Sequence, residues 1–557
     1  MLLIKEVLNK MKKIIDKLIA DDEKIKKGLE RSKLENSDVE SEISDDSTVK
    51  EEKPINYTDI LRHLIPLLCL LTIHNEETSF NEMFDIITND DYKYNILIDQ
   101  IKSWWNKNID GQIIKLFINV YNKQMKDDIE TNKIIRTIKE LFIKNVGNRK
   151  ELSKLIDKYL IPQELEKKSN AEVSTPYTLR QEMLDKIPLE FWKSPRRVFE
   201  PCSGKGGFVI DIIDRFMIGL EDKIPNEKER YRKIVEECLY FSDINPTNIF
   251  ICTLLINSEN EYKLNYNEGN TLELDVQKKW SIDGFDAVIG NPPYNDASGN
   301  KGKGHTLWDK FVIISLSKWV IQDGYLLYVH PSLWRQADHS LQKTMKEYQI
   351  EYLEIHNESD GVKIFGCNTR YDWYLINKNK YYKKTIIKTQ DGTIIRKDLS
   401  KMNFIPNYNF DTIEKLTNNK EKINLLYSRS DYASDKKWTN KICDSNYKYP
   451  IVYSVNRKNI PKFIWSNINS KTGHFGKKKV IFGSGATGFI IDDKGLYGCS
   501  EFCTGIIDEI KNLNNIKEAL NSIKFKKEII MATSVSKAEI NRKILKYFNK
   551  DFWKEFV

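Results

Sequence analysis

Arg196-Arg197-Val198-Phe199-Glu200-Pro201-Cys202-Ser203-Gly204-Lys205-Gly206-Gly207-Phe208 is the stretch on which the fold turns. A short apolar run ends in a Gly-rich turn, and the turn opens into the apolar helical sequence that begins at Phe208. Glycines at such a turn let the backbone approach a ligand where a side chain would clash. A dinucleotide-binding fingerprint would require a third glycine at the position of Val209, which counts against a nicotinamide cofactor. Outward from this stretch the grammar repeats. CLYFSDI (238–244), KLNYNEGN (263–270), FDAVIGNPPY (285–294), GYLLYVHPS (324–332), EYLEIH (351–356) and YDWYLINK (371–378) are apolar runs that end in Gly, Pro, Asn or Asp, with helical spacing between them. This alternation predicts a doubly wound α/β sheet, in which ligands bind at the carboxyl ends of the strands.

The rest of the chain divides around that block. With 557 residues, more than one core is expected. Residues 1–55 are predicted to be a charged helix and a disordered linker, because Ser37 to Lys53 is rich in Ser, Asp and Glu with almost no apolar content. Residues 56–168 read as a helical domain of unassigned role, with Trp104 and Trp105 as packing anchors. Residues 169–400 form the α/β domain, and 401–557 a C-terminal α+β domain in which aromatic and basic residues interleave. That last segment holds 28 Lys and Arg against 16 Asp and Glu, whereas the whole chain is only +8. A basic region of this kind reads either as a solvated lysine-rich surface or as a surface for a polyanion. The longest apolar run, around Leu64 to Ile73, is too short for a membrane span and contains Pro66, so an intracellular protein is expected. Of eight cysteines only Cys499 and Cys503 are closely spaced, and without a second pair no metal site is expected.

Two further strand ends carry chemistry. Asp243, followed by Ile244 and Asn245, ends the second strand, where an acid can accept from both ribose hydroxyls of a nucleoside cofactor or cap the next helix. Asn291-Pro292-Pro293-Tyr294 ends the fourth. Its two prolines lack amide hydrogens, so this turn offers acceptors. The side-chain oxygen of Asn291 and the carbonyl of Pro292 suit the two hydrogens of an exocyclic aromatic amine, whose lone pair is otherwise delocalised into the ring. Tyr294 offers a face on which an extruded base can stack.

With these motifs in place, residues 169–557 resemble the amino-methyltransferases, specifically the γ-ordered N6-adenine DNA methyltransferases of restriction-modification systems, the TaqI- and Eco57I-like enzymes. The resemblance implies a Rossmann-like class I fold, S-adenosylmethionine as cofactor, double-stranded DNA as partner and a target recognition domain after Lys401. It implies that Thr175 and Pro176, followed by Met183, are the upstream cofactor motif, and that Glu200, Pro201, Gly204, Gly206 and Phe208 line the cofactor loop. Asp243 with Ile244 would hold the ribose side, and Asn291, Pro292, Pro293 and Tyr294 would be the catalytic tetrapeptide, with Phe365 the second aromatic against the target adenine. Where the family has Asp after the third strand this chain has Asn270, which implies an amide contact to the cofactor's adenine. The Lys-, Asn- and Ile-rich flavour, with YLIPQELEKK at 159–168, is similar to copies in large DNA viruses.

Other readings compete. Pro201-Cys202 has the form of a cytosine-C5 nucleophile, but it lies inside the cofactor loop. The Asn-Pro-Pro-Tyr tetrapeptide also serves enzymes that methylate a protein glutamine amide or guanine in RNA. A fused restriction-modification enzyme would need a nuclease, for which Glu166-Lys167-Lys168 is a poor signature. A DNA-binding module with an inactive methyltransferase fold is disfavoured by the intact tetrapeptide. The monomer is the favoured state, and the loop after Tyr294, residues 295–305, is expected to be a flap over the target strand or an ordinary tolerant loop.

Overall fold

A computed structural model describes residues 148–151, 153–154, 173–257, 261–295, 306–380, 383–483, 485, 488–535 and 540–557. The expected charged helix, linker and nearly all of the expected helical domain lie outside them, as do Glu166-Lys167-Lys168 and residues 296–305 of the expected flap. The chain forms two compact units that divide between Tyr328 and Val329. The expected boundary at 400/401 falls within the second unit.

In the first unit, helix α1 (Tyr177–Leu184) precedes β1 (Val198–Glu200), α2 (Gly207–Gly219), β2 (Leu239–Asp243), α3 (Pro246–Ile256), β3 (Asn265–Glu268), β4 (Phe285–Gly290), α4 (Trp308–Ile314) and the start of β5 (Val320–Pro331). The strands are parallel and lie in the order β3-β2-β1-β4-β5. All residues of β1 and β2 are buried, as expected of parallel strands covered on both faces. Phe199 sits at the centre of an aromatic cluster, stacked on Phe285 at 4.6 Å and edge-on to Trp319 at 5.3 Å. Helix α2 buries Phe208, Val209, Ile212, Ile213, Phe216 and Met217. From β1 the chain winds outward through β2 to β3 and then returns past β1 to β4. The direction of winding therefore reverses between β1 and β4, and the crevice at that switch point is where an open α/β sheet binds its ligand.

In the second unit, β6 (Tyr348–Ile355), helix α5 (Glu358–Phe365), β7 (Tyr371–Lys380), β8 (Thr385–Lys388) and β9 (Ile394–Lys397) continue the α/β pattern in the order β7-β6-β8-β9, with β7 antiparallel to β6. After them, helix α6 (Phe410–Thr417) leads into two four-stranded sheets. One pairs β10 (Asn424–Leu426), β17 (Cys503–Ile507), β14 (Lys479–Gly483) and β15 (Phe489–Asp492). The other pairs β11 (Thr439–Asn440), β13 (Pro461–Ser466), β12 (Tyr449–Val455) and β16 (Gly498–Cys499). Helix α7 (Ile510–Asn521) packs Leu513, Ile516 and Leu520 into a core shared with Ala337, Phe404, Val480 and Phe525. Both α/β and α+β architectures are thus present. Among the described residues no helix is long and apolar enough to cross a membrane.

Candidate active site

The switch-point crevice is built from the ends of β1 and β4. A Cβ added to Gly290 would lie 3.6 Å from Pro201 Cδ and 3.7 Å from Glu200 Cγ, so the two strand ends are in contact. The loop after β1 is tied to β2 through Ser203 N–H donating to the Ser242 carbonyl (2.9 Å) and Gly204 N–H donating to Asp243 Oδ2 (2.8 Å). Gly204 and Gly206 have φ of 49° and 90°, the left-handed region that favours glycine. At Gly206 a Cβ would also meet Cys252 Sγ at 3.0 Å.

Asp243 divides its carboxylate between two backbone donors: Oδ2 takes Gly204, and Oδ1 takes Asn245 N–H at 2.7 Å just before α3. It therefore shapes the loop and the helix start together. Ile244 beside it is 57% exposed, an apolar face presented at a strand end. Asn270 is exposed and already busy: Oδ1 accepts Leu272 N–H at 3.2 Å, and Nδ2 donates to Glu273 Oε1 at 2.7 Å. Thr271 links the strand ends from below, donating to the Pro201 carbonyl at 2.8 Å and sharing a 2.7 Å bond with Ser242 Oγ.

Glu200 is buried and its Oε2 has no hydrogen-bond partner. Burial pushes its carboxyl well above the usual range, the Arg180 guanidinium opposes this, and the Asp243 and Asp211 carboxylates reinforce it. Enclosure likewise pushes the Cys202 thiol up, helped by Asp243 and Glu200, so this cysteine is a poor thiolate nucleophile. Phe208 is buried in the first turn of α2.

Asn291 follows β4. Its Nδ2 donates to the Val173 carbonyl at 3.2 Å, while its Oδ1 is buried without a partner. A buried acceptor left open in this way costs about 1–3 kcal/mol unless a ligand satisfies it. Pro292 is buried, and the Tyr294 carbonyl accepts Leu307 N–H at 3.1 Å, which helps close the base of the loop that follows. Thr175 is buried, and its carbonyl and that of Val173 face donors from Arg180 and Asn291. Pro176 is the N-cap of α1. Of the candidate catalytic and cofactor residues, all but Phe365 lie in the first unit. That ring lies in the second unit, half-buried and edge-on to Tyr371 at 4.9 Å, with Tyr371 stacked on His356 at 4.3 Å.

Sequence reading missed Val173, Arg180, Asp211 and Thr271. The available signal was Asp211 between Ile210 and Ile212 in α2, an acid that has to find a cationic partner once buried.

Residues 155–318 match the family model described as N-6 DNA Methylase, and this segment contains the lead-in, the Gly loop, Asp243 and Asn291–Tyr294. No curated protein matches the chain. Among solved structures, a modification subunit of a putative type I restriction enzyme from Vibrio vulnificus YJ016 aligns at 11% identity and TM-score 0.37, covering 61% of this chain and 81% of that one. A putative class I S-adenosylmethionine-dependent methyltransferase from Listeria monocytogenes aligns at 15% and 0.33, covering 56% and 92%. The type IIL restriction-modification enzyme MmeI, solved in complex with DNA, aligns at 10% and 0.43, covering 90% and 86%. These likenesses are too distant to carry the function, which rests on the family match and the site.

The strand order is that of a Rossmann-like doubly wound fold, and S-adenosylmethionine is the cofactor that the matched family model implies for it. The crevice fits that group. The unpartnered Glu200 Oε2 suits an ammonium, the left-handed glycines leave room for close approach, and Asp243 with the exposed Ile244 offers an acceptor beside an apolar face.

Proposed function

We propose that this protein is a site-specific DNA methyltransferase that methylates N6 of adenine, with Asn291, Pro292, Pro293 and Tyr294 as its catalytic turn. The observation that carries the reading is the buried, unpartnered Oδ1 of Asn291 beside two prolines that have no amide hydrogens. Asn291 Oδ1 accepts one N6 hydrogen and the Pro292 carbonyl the other, which draws electron density back onto the nitrogen. When bound, S-adenosylmethionine supplies an electrophilic methyl group. Glu200, Asp243 and Ile244 hold that cofactor, and the Thr175–Pro176 lead-in lines it. Catalysis by this chain is then positioning and hydrogen-bond polarisation.

A stacked duplex hides N6 from such a turn, so the adenine rotates out, and Tyr294 supplies an aromatic face for it. The C-terminal domain, with its excess of Lys and Arg, takes the phosphates of double-stranded DNA and reads base edges. The γ order of motifs, cofactor loop before catalytic turn before basic domain, supports the same assignment.

The test is transfer of labelled methyl from S-adenosylmethionine to separate pools of double-stranded DNA, RNA and protein. Label in DNA is the expected result. Label confined to RNA or to protein glutamine would replace this substrate with another amine or amide, and DNA cleavage in the same reaction would mark a fused restriction-modification enzyme.

A further inference from the structure

The orientation of the Asn291 amide has an identifiable cause. A carbonyl only accepts, so the Val173 carbonyl selects the NH2 side of that amide and turns the oxygen away from it. Val173 belongs to the short lead-in that ends at Pro176, and the same lead-in is held a second time at the Thr175 carbonyl, which accepts from Arg180 Nη1. Arg180 is 2% exposed. Its Nε donates to Asp211 Oδ2 at 2.6 Å and its Nη2 to Ser153 Oγ at 2.7 Å, while Ser153 Oγ donates to Asp211 Oδ1 at 2.6 Å. Asp211 sits on α2, the helix that the Gly loop opens. Gly207, the first residue of that helix, leaves space for the guanidinium: a Cβ there would lie 2.7 Å from Arg180 Nη1 and 2.8 Å from its Cζ.

We infer that Arg180 is a positioning residue for the acceptor amine: anchored on α2 by Asp211, it fixes the lead-in whose Val173 carbonyl orients the Asn291 amide. The inference rests on the proposed function for the meaning of that orientation, although the clamp itself is a matter of geometry. Lead-in and catalytic turn are then one mechanical unit, so a disturbance at Arg180 reaches Asn291 through the backbone between Val173 and Thr175. A forked guanidinium serves three acceptors at once, and a lysine ammonium cannot hold them in the same plane.

Arg180→Lys, which keeps the charge, and Gly207→Ala, which pushes on the guanidinium from α2, test this in the full chain. Both should lower kcat for DNA methylation by about tenfold to a hundredfold, the loss expected of a small misplacement, with KM for DNA little changed. A crystal structure of Arg180→Lys should show the Val173 to Asn291 bond broken or the amide turned. An intact bond with unchanged kcat, or a lower melting temperature with neither kinetic constant moved, would overturn the assignment and leave Arg180 a purely structural residue. If the unsubstituted protein does not methylate DNA, the proposed function fails, and the crystal structure still decides whether Arg180 sets the amide.

Discussion

Asp243 ties the scaffold of the proposed cofactor site together. Its two oxygens hold Gly204 and Asn245, so the loop and the following helix depend on it before any cofactor arrives. Asp243→Ala should raise the dissociation constant for S-adenosylmethionine by about tenfold or more, the loss of one or more hydrogen bonds to a charged group; calorimetry with unchanged affinity would reject the ribose-side role. His330 carries a different consequence. Burial lowers its pKa from 6.5 to about 3, with the Pro331 carbonyl opposing, and its Nε2 lies 2.8 Å from Tyr374 Oη. Its folded pKa is depressed, so below 6.5 the unfolded chain takes up a proton that the folded chain refuses. The stability it confers is present above that pH and is lost as pH falls toward 3, by roughly 1.4 kcal/mol per pH unit at most. Urea denaturation from pH 7 to pH 5 should show this slope, and His330→Gln should flatten it; an equal slope in both proteins would assign it to other groups.

At the scale of elements, the strand-loop-helix unit from β1 through α2 does most to place the site. Gly206 has φ of 90° and Cys252 Sγ packed where a Cβ would go, so Gly206→Ala should cost about 1–2 kcal/mol from backbone strain alone. A lower urea midpoint at constant slope would register it, and an unchanged midpoint would contradict a rigid turn. This unit was legible in the sequence because its signals are local: apolar run, glycines, then an apolar helix. The strand ends at Asp243 and Asn291 were legible for the same reason. Asn270 was less so, since its engagement as the cap of a short turn depends on Leu272 and Glu273, and that geometry has no period to betray it. The Arg180 to Asp211 pair was invisible because partners 31 residues apart leave no mark on either segment except an out-of-place charge.

At the largest scale, contacts inside the second unit cross the 400/401 boundary that composition drew. Within the second unit Arg335 donates to Asp372, to the Ile405 carbonyl and to Asn407 Oδ1, and Ala337 lies in one core with Ile413, Phe482 and Leu520. The basic surface is better probed by side chains than by truncation. Lys448, Lys462 and Lys471 lie over the rings of Tyr449, Tyr453 and Trp438 at 5.5, 5.7 and 5.0 Å, which places cations beside stacking faces. Replacing all three with Ala should weaken DNA binding across sequences and reduce the salt slope by about 2–3, as expected for three lost phosphate contacts; an unchanged slope would move the DNA elsewhere.

The proposed chemistry turns on which nitrogen receives the methyl group. Nucleoside analysis by mass spectrometry, after incubation of double-stranded DNA with isotopically labelled S-adenosylmethionine, tests it most directly. Label should appear in N6-methyladenine for the unsubstituted protein and fall by at least about a hundredfold for Asn291→Ala, at nearly unchanged cofactor affinity. Label in a cytosine derivative, or N6 label undiminished by Asn291→Ala, would contradict this chemistry.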